Sequence, residues 1–266
     1  MVQSERRRFL IGKLLSEDIR YRDMKVPAGE SEQKQLLRGL MNIRLPRKID
    51  CEFLKVQDEY LKAEIAAKGI TEVEDLHPIC EGLYLWQGDI TTLRCDAVVN
   101  AANSGLTGCY VPGHRCIDNC IHTFSGIQLR IECAEIMQKQ GHEEHTGTAK
   151  ITKAYNLPCK YILHTVGPII SGNLTKKDCD LLGQCYTSCL ELAAEYHLES
   201  VAFCCISTGE FHFPNDIAAE IAVHTVKEFM EKKTSVRKVV FNVFKDLDKE
   251  IYSRLLGRDT AAENVI

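Results

Sequence analysis

No stretch of this 266-residue chain stays apolar for the roughly 20 residues a membrane-spanning helix needs, which excludes that class of protein. Positive charge is also short. The formal net charge is −4 and no long basic run occurs, so nonspecific nucleic-acid binding has no electrostatic support. A secretory cleavage pattern is missing as well: Ser4-Glu5-Arg6-Arg7-Arg8 leads straight into an amphipathic segment, and a cytoplasmic location is the expectation. Without a secreted context the thirteen cysteines, an odd number, do not read as a disulfide framework. Cys51, Cys95, Cys133, Cys185, Cys189, Cys204 and Cys205 stand in apolar surroundings and read as small core residues.

What the chain does have is a tight cluster, Cys109-Tyr110-Val111-Pro112-Gly113-His114-Arg115-Cys116. Two thiols and an imidazole in this C-x4-H-x-C spacing supply three zinc ligands and leave a fourth position open, as a catalytic zinc requires. Cys120 and His122 follow closely and are not excluded as ligands by spacing. The shared turn favours Cys109, His114 and Cys116, because three donors converge there without bending a helix. A helix starting near Cys116 would favour the thiolate form through its dipole. Asp118 falls in the first turn of that helix, either pointing into the same cleft or simply favouring the helix N-terminus.

The first eighty residues read as helical. Leu10, Ile11, Leu14 and Leu15 form one stripe, Leu36, Leu37, Leu40 and Met41 another. Asp50 caps a third helix that turns Phe53, Leu54, Leu61 and Ile65 inward and stops at Gly69. From residue 82 the pattern changes to short apolar runs at 83–86, 97–99, 149–152, 161–164, 201–204 and 238–244. Helical stretches at 115–139, 178–196, 214–232 and 246–256 alternate with them, and Gly257 to Ile266 reads as a frayed tail. Such alternation predicts a sheet covered on both faces, with ligands bound at the carboxyl ends of its strands.

Four loops after strands carry the chemistry. In Gln87-Gly88-Asp89-Ile90 the Asp89 carboxylate suits an exocyclic amine, although taken by itself it reads more readily as a turn or N-cap. In Asn100-Ala101-Ala102-Asn103-Ser104-Gly105 the amides suit sugar hydroxyls, and equally Asx turns. Ser207-Thr208-Gly209-Glu210-Phe211 presents backbone N–H groups as an anion nest, without the P-loop pattern. His164 closes a strand before Gly167-Pro168 and reads as a structural histidine.

Gly88-Asp89-Ile90-Thr91, Val99-Asn100-Ala101-Ala102-Asn103-Ser104, His164-Thr165-Val166-Gly167-Pro168 and the 207–214 loop, in that order, resemble the macrodomain, an ADP-ribose-binding fold, over roughly residues 80–256. Where that family carries a glycine-rich stretch, residues 108–119 hold the Cys-His-Cys cluster, which resembles its zinc-containing, protein-ADP-ribose hydrolase branch. The resemblance implies a three-layer α/β/α sandwich on a mixed six-stranded sheet at residues 81–266, with its zinc site in the loop 103–118 and a helical extension at 1–80. It also implies that Asp89 and the Ile90 N–H bind adenine, with Phe244 facing it. Asn103 meets the distal ribose. Ser207, Thr208, Gly209, Glu210 and Phe211 wrap the diphosphate and adjoining sugar, and Cys109, His114 and Cys116 hold Zn2+. Asn103 and Asp118 are then the catalytic candidates for removing ADP-ribose from a mono-ADP-ribosylated protein. A non-catalytic reader of ADP-ribose and an O-acyl-ADP-ribose deacylase are the alternatives. Neither nucleic acid nor membrane is an expected partner.

Overall fold

Three amphipathic helices open the chain: α1 (Gln3–Ser16), α2 (Glu30–Ile43) and α3 (Cys51–Lys68). They bury Leu10, Ile11, Leu37, Leu40, Phe53 and Leu61 in a core of their own, which reaches the main domain through Ile127. Asp50 caps α3 by accepting from the Phe53 N–H at 2.7 Å, and Gly69 at φ 89° ends it. Cys51 proves exposed rather than buried. As the first residue after the cap it lies on the solvent side of the helix start. The computed structural model describes residues 1–21 and 23–263.

Helix does not continue to residue 80. Gly69 breaks it, and the chain enters β1 (Thr71–Glu72) and then β2 (Pro78–Cys80). The remaining strands are β3 (Leu83–Gln87), β4 (Leu93–Arg94), β5 (Ala97–Ala101), β6 (Ala149–Lys153), β7 (Tyr161–Thr165), β8 (Ser200–Phe203) and β9 (Lys238–Val243). The main sheet has seven strands rather than the expected six, ordered β2-β3-β9-β8-β5-β7-β6, and β1 pairs with β4 apart from it. The additional strand is the edge strand β2, which pairs antiparallel with β3. It has neither length nor apolar alternation to announce it, and Pro78 at its start is tolerated because the strand lies at an edge.

The five central strands run parallel, and Val98, Val99, Val201, Ala202, Val239 and Val240 are fully buried in them. Such burial needs cover on both faces. On β7, His164 lies 3.9 Å from Cys133 of α5 (Ile127–Gln140), while neighbouring Thr165 lies beside Cys185 of α6 (Lys176–Glu195). Successive residues of one strand thus meet helices on opposite faces.

The expected continuous helix at 115–139 is two helices, α4 (Ile117–Ser125) and α5, parted at Gly126 with φ 100°. A Cβ there would run into the Gln57 amide, whose oxygen accepts from the Ile127 N–H at 3.0 Å. The break points the N-terminus of α4 at the carboxyl edge of the sheet. α7 (Asn215–Met230) packs on α6, and α8 (Asp246–Glu263) packs on α7. α8 continues past the expected frayed start at Gly257; residues 264–266 lie outside the described ones. No helix among the described residues is long and apolar enough to cross a membrane.

Candidate active site

Because β3, β9, β8, β5 and β7 are parallel, the loops after them open on one edge of the sheet. There they line a cleft of about 1320 Å³ that includes Asp89, Asn103, Cys116, Asp118, Ser207 and Phe244. It matches the site expected at the carboxyl ends of parallel strands.

At one wall, the Cys109, His114 and Cys116 ligand atoms lie within 4.8 Å of one another, all three residues half-buried. Cys109 Sγ and His114 Nδ1 are 3.6 Å apart. Cys116 is the N-cap of α4, and its Sγ accepts from the Asn119 N–H at 3.4 Å. The helix does not win here. Burial pushes the Cys116 thiol up to about 12; the Asn119 N–H pulls it down, and the neighbouring Cys109 adds to the rise. Cys120 points elsewhere, with its sulfur 3.4 Å from Arg38 Nη2. His122 belongs to a separate buried group with Cys133 and His164.

Asp118 forms the floor. It is 5% exposed and accepts from Asn100 Nδ2 at 2.9 Å and from Asn103 Nδ2 at 3.0 Å. Burial raises its pKa to about 6, against the pull of Asn100, Arg130 and Asn103. Beneath it lie the two imidazoles. His122 Nε2 is 3.6 Å from Asp118 Oδ1, and His164 contacts Asn100 Nδ2 at 3.2 Å and Thr152 Oγ1 at 2.9 Å. Burial holds both below the usual histidine range, His164 at about 3, so both are neutral. His164 is thus a fully buried, hydrogen-bonded structural residue.

Asn103 serves both readings of its loop. Its oxygen accepts from the Gly105 N–H at 3.0 Å, closing an Asx turn, while its amide donates to Asp118 and to the Gly108 carbonyl. Asn100 is buried and faces Asp118 and His164.

Opposite lies the Ser207–Phe211 loop. Ser207 takes φ 64°, an unusual conformation for a side-chain-bearing residue, and its buried hydroxyl has no partner among the described residues. Gly167 packs so close that a Cβ there would collide with that hydroxyl. None of the Thr208, Gly209, Glu210 and Phe211 N–H groups is taken by a backbone carbonyl among the described residues, which leaves four donors for an anion. Glu210 Oε1 reaches back across the cleft to within 3.6 Å of His114 Nε2.

At the far end, Asp89 caps a short turn through the Thr91 N–H at 3.0 Å and pairs with Lys68 Nζ at 2.8 Å. Burial raises its pKa, but Lys68 and Thr91 outweigh this and hold it below the usual range. Lys68 Nζ also lies 3.3 Å from the Phe124 ring centroid. Ile90 is 3% exposed and Phe244 is 77% exposed.

No local pattern in the chain pointed to Arg38, Asn42, Lys68 or Asn119. Arg38 Nη2 donates to the His114 carbonyl at 2.7 Å and to Asn119 Oδ1 at 2.9 Å. Asn42 accepts from the Gly113 N–H and donates to Thr123, both at 2.9 Å. Asn119 donates to the Val111 carbonyl at 3.0 Å, and Arg130 takes the Met41, Asn42 and Arg44 carbonyls ending α2. The pairings of Arg38, Asn42 and Arg130 join residues 71 to 89 positions apart, so spacing cannot show them.

The family profile described as Macro domain matches residues 99–222. A protein-ADP-ribose hydrolase of Treponema medium is 59% identical over 261 residues, covering 97% of this chain and 100% of its own. The chain belongs to the macrodomain family. A second protein-ADP-ribose hydrolase, of Staphylococcus aureus, is 50% identical to this macrodomain over 88% of each chain. A solved Trypanosoma brucei macrodomain in complex with ADP-ribose superposes with a TM-score of 0.65 at 28% identity, covering 83% of this chain and 95% of its own. The macrodomain profile begins inside β5, after the three opening helices, of which α2 braces the Cys109–Cys116 loop through Arg38 and Asn42.

Proposed function

We propose that this macrodomain hydrolyses the bond joining the distal ribose of ADP-ribose to a protein side chain. The observation that carries the reading is Asp118, a carboxylate buried on the cleft floor with its pKa raised to about 6, placed between Asn103 and the Cys-His-Cys wall. A group poised near neutral pH suits proton transfer in the transition state. The kinship with protein-ADP-ribose hydrolases supports it.

The ligand is read along the cleft. Adenine lies against Asp89, the Ile90 N–H and Phe244, and the N–H groups of the Ser207–Phe211 loop take the diphosphate. Asn103 then fixes the distal ribose over Asp118. The carboxylate receives a proton from the attacking water as the ribose–protein bond breaks, and its charge favours an oxocarbenium-like transition state.

The donor set fits zinc. Two ligands of a tetrahedral centre with bonds of about 2.3 Å to sulfur and 2.0 Å to nitrogen lie about 3.5 Å apart, and Cys109 Sγ and His114 Nδ1 lie 3.6 Å apart. The Cys116 thiol, which burial keeps protonated, would give up its proton to a dication. Held by Cys109, His114 and Cys116, zinc would supply Lewis-acid polarisation of an oxygen at the distal ribose.

The test is release of ADP-ribose from a mono-ADP-ribosylated protein by the wild type and by Cys116→Ser, with zinc content measured on the same preparations. Turnover by the wild type and its loss with the metal in the variant are expected. Binding of ADP-ribose without turnover would assign a reader instead. Full turnover by metal-free Cys116→Ser would remove zinc from the chemistry.

A further inference from the structure

We propose that His114 meets the metal through Nδ1, and that Glu210, reaching over from the anion loop, is the positioning residue that sets this choice. The proposal rests on the reading that Cys109, His114 and Cys116 hold zinc. An imidazole has two candidate nitrogens on opposite edges of its ring, and only one can face the metal. In this chain the edges are already assigned: Nδ1 faces Cys109 Sγ at 3.6 Å, and Nε2 faces Glu210 Oε1 at 3.6 Å. The backbone that carries the ring is itself held: the His114 N–H donates to the Val111 carbonyl at 3.2 Å and its carbonyl accepts from Arg38 at 2.7 Å.

Glu210 needs an explanation of its own. A carboxylate in a loop of free N–H donors repels the anion those donors suit, unless a cationic partner draws it away. Among the described residues its side chain has one polar contact, His114, and is 70% exposed. A carboxylate accepting the Nε2–H fixes the tautomer, leaves the Nδ1 lone pair for the metal and raises its basicity. A metal held on Nδ1 would make the Nε2–H a stronger donor toward Glu210. The two walls of the cleft are joined through this one contact, so zinc on one wall and the conformation of the loop on the other are linked, and the linkage is reciprocal.

The experiment uses the full chain and zinc alone. Zinc affinity is measured by chelator competition for the wild type, Glu210→Gln, Glu210→Ala and Cys116→Ser, and the imidazole nitrogens are assigned by long-range 1H–15N spectroscopy. The expected wild-type spectrum shows metal on Nδ1 and a proton on Nε2 of His114. Glu210→Ala should weaken zinc roughly 10- to 100-fold, and Glu210→Gln less, because its amide oxygen still accepts. Zinc on Nε2, or wild-type affinity in Glu210→Ala, would overturn the proposal and leave the zinc site standing. A wild type that takes up no more zinc than Cys116→Ser would overturn both.

Discussion

Asp118 occupies the first turn of α4, where a carboxylate ordinarily gains from the helix dipole and ionises readily. Burial reverses that gain and raises its pKa to about 6. Asp118→Asn should therefore lower turnover by roughly 10²- to 10⁴-fold, with ADP-ribose affinity far less affected; steady-state kinetics and calorimetry on the same protein would show it. Turnover within a few-fold of the wild type would refute a proton-transfer role. A helix starting near Cys116, with Asp118 in its first turn, was legible because spacing and helix signals are local. The sequence could not rank the dipole against desolvation, which depends on what packs over both residues. Asn103 shows the same limit: the Asx turn and the cleft-facing amide, two rival readings, coexist in one side chain.

Among the elements, α2 turns out to be part of the site. Its Arg38 and Asn42 hold the backbone of residues 113 and 114. The stripe Leu36, Leu37, Leu40 and Met41 was legible as one face; Leu37, Leu40 and Met41 are buried and Leu36 packs against them half-buried. The polar residues between were not legible, since their partners lie 71 to 82 positions away. Arg38→Ala removes the donor to His114 and Asn119 while leaving the apolar face intact. Metal retention should fall about 10-fold, in the range seen when a residue orienting a metal ligand is lost, with little change in melting temperature. Chelator competition and thermal melting of the same variant would check both. The two-residue and three-residue strands β1 and β2 were illegible for a different reason, as both are too short to show periodicity.

At the scale of the whole molecule, five of the six longer strands were readable because parallel, doubly covered strands become continuous apolar runs, and β6, an antiparallel edge strand, by its alternation of apolar and polar residues. Depth was not. Nothing local shows that His122 and His164 lie in the interior as neutral imidazoles. Its consequence is acid sensitivity. His164 titrates at about 3 when folded and near 6.5 when unfolded. Between these values the unfolded chain binds the additional proton, so stability falls as pH falls, by about 1.4 kcal/mol per unit. His122, shifted the same way, adds to the slope. Asp118, raised when folded, acts in the opposite direction below about pH 6. Comparing the wild type with His164→Asn cancels these common contributions. Urea midpoints from pH 7 to 5 should fall more steeply for the wild type, and parallel curves would contradict the buried neutral state.

The three opening helices keep a hydrophobic core of their own, joined to the rest through Ile127, through Ile65 in the main core and through polar contacts of Arg38, Asn42, Gln57, Lys68 and Arg130. That division gives the protein two thresholds of failure. Heat or proteolysis that opens the smaller core would release the clamp on residues 113 and 114 while the sheet stays folded. Inactivation would then run ahead of unfolding, and a chain that still looks native by its sheet could already have lost its chemistry.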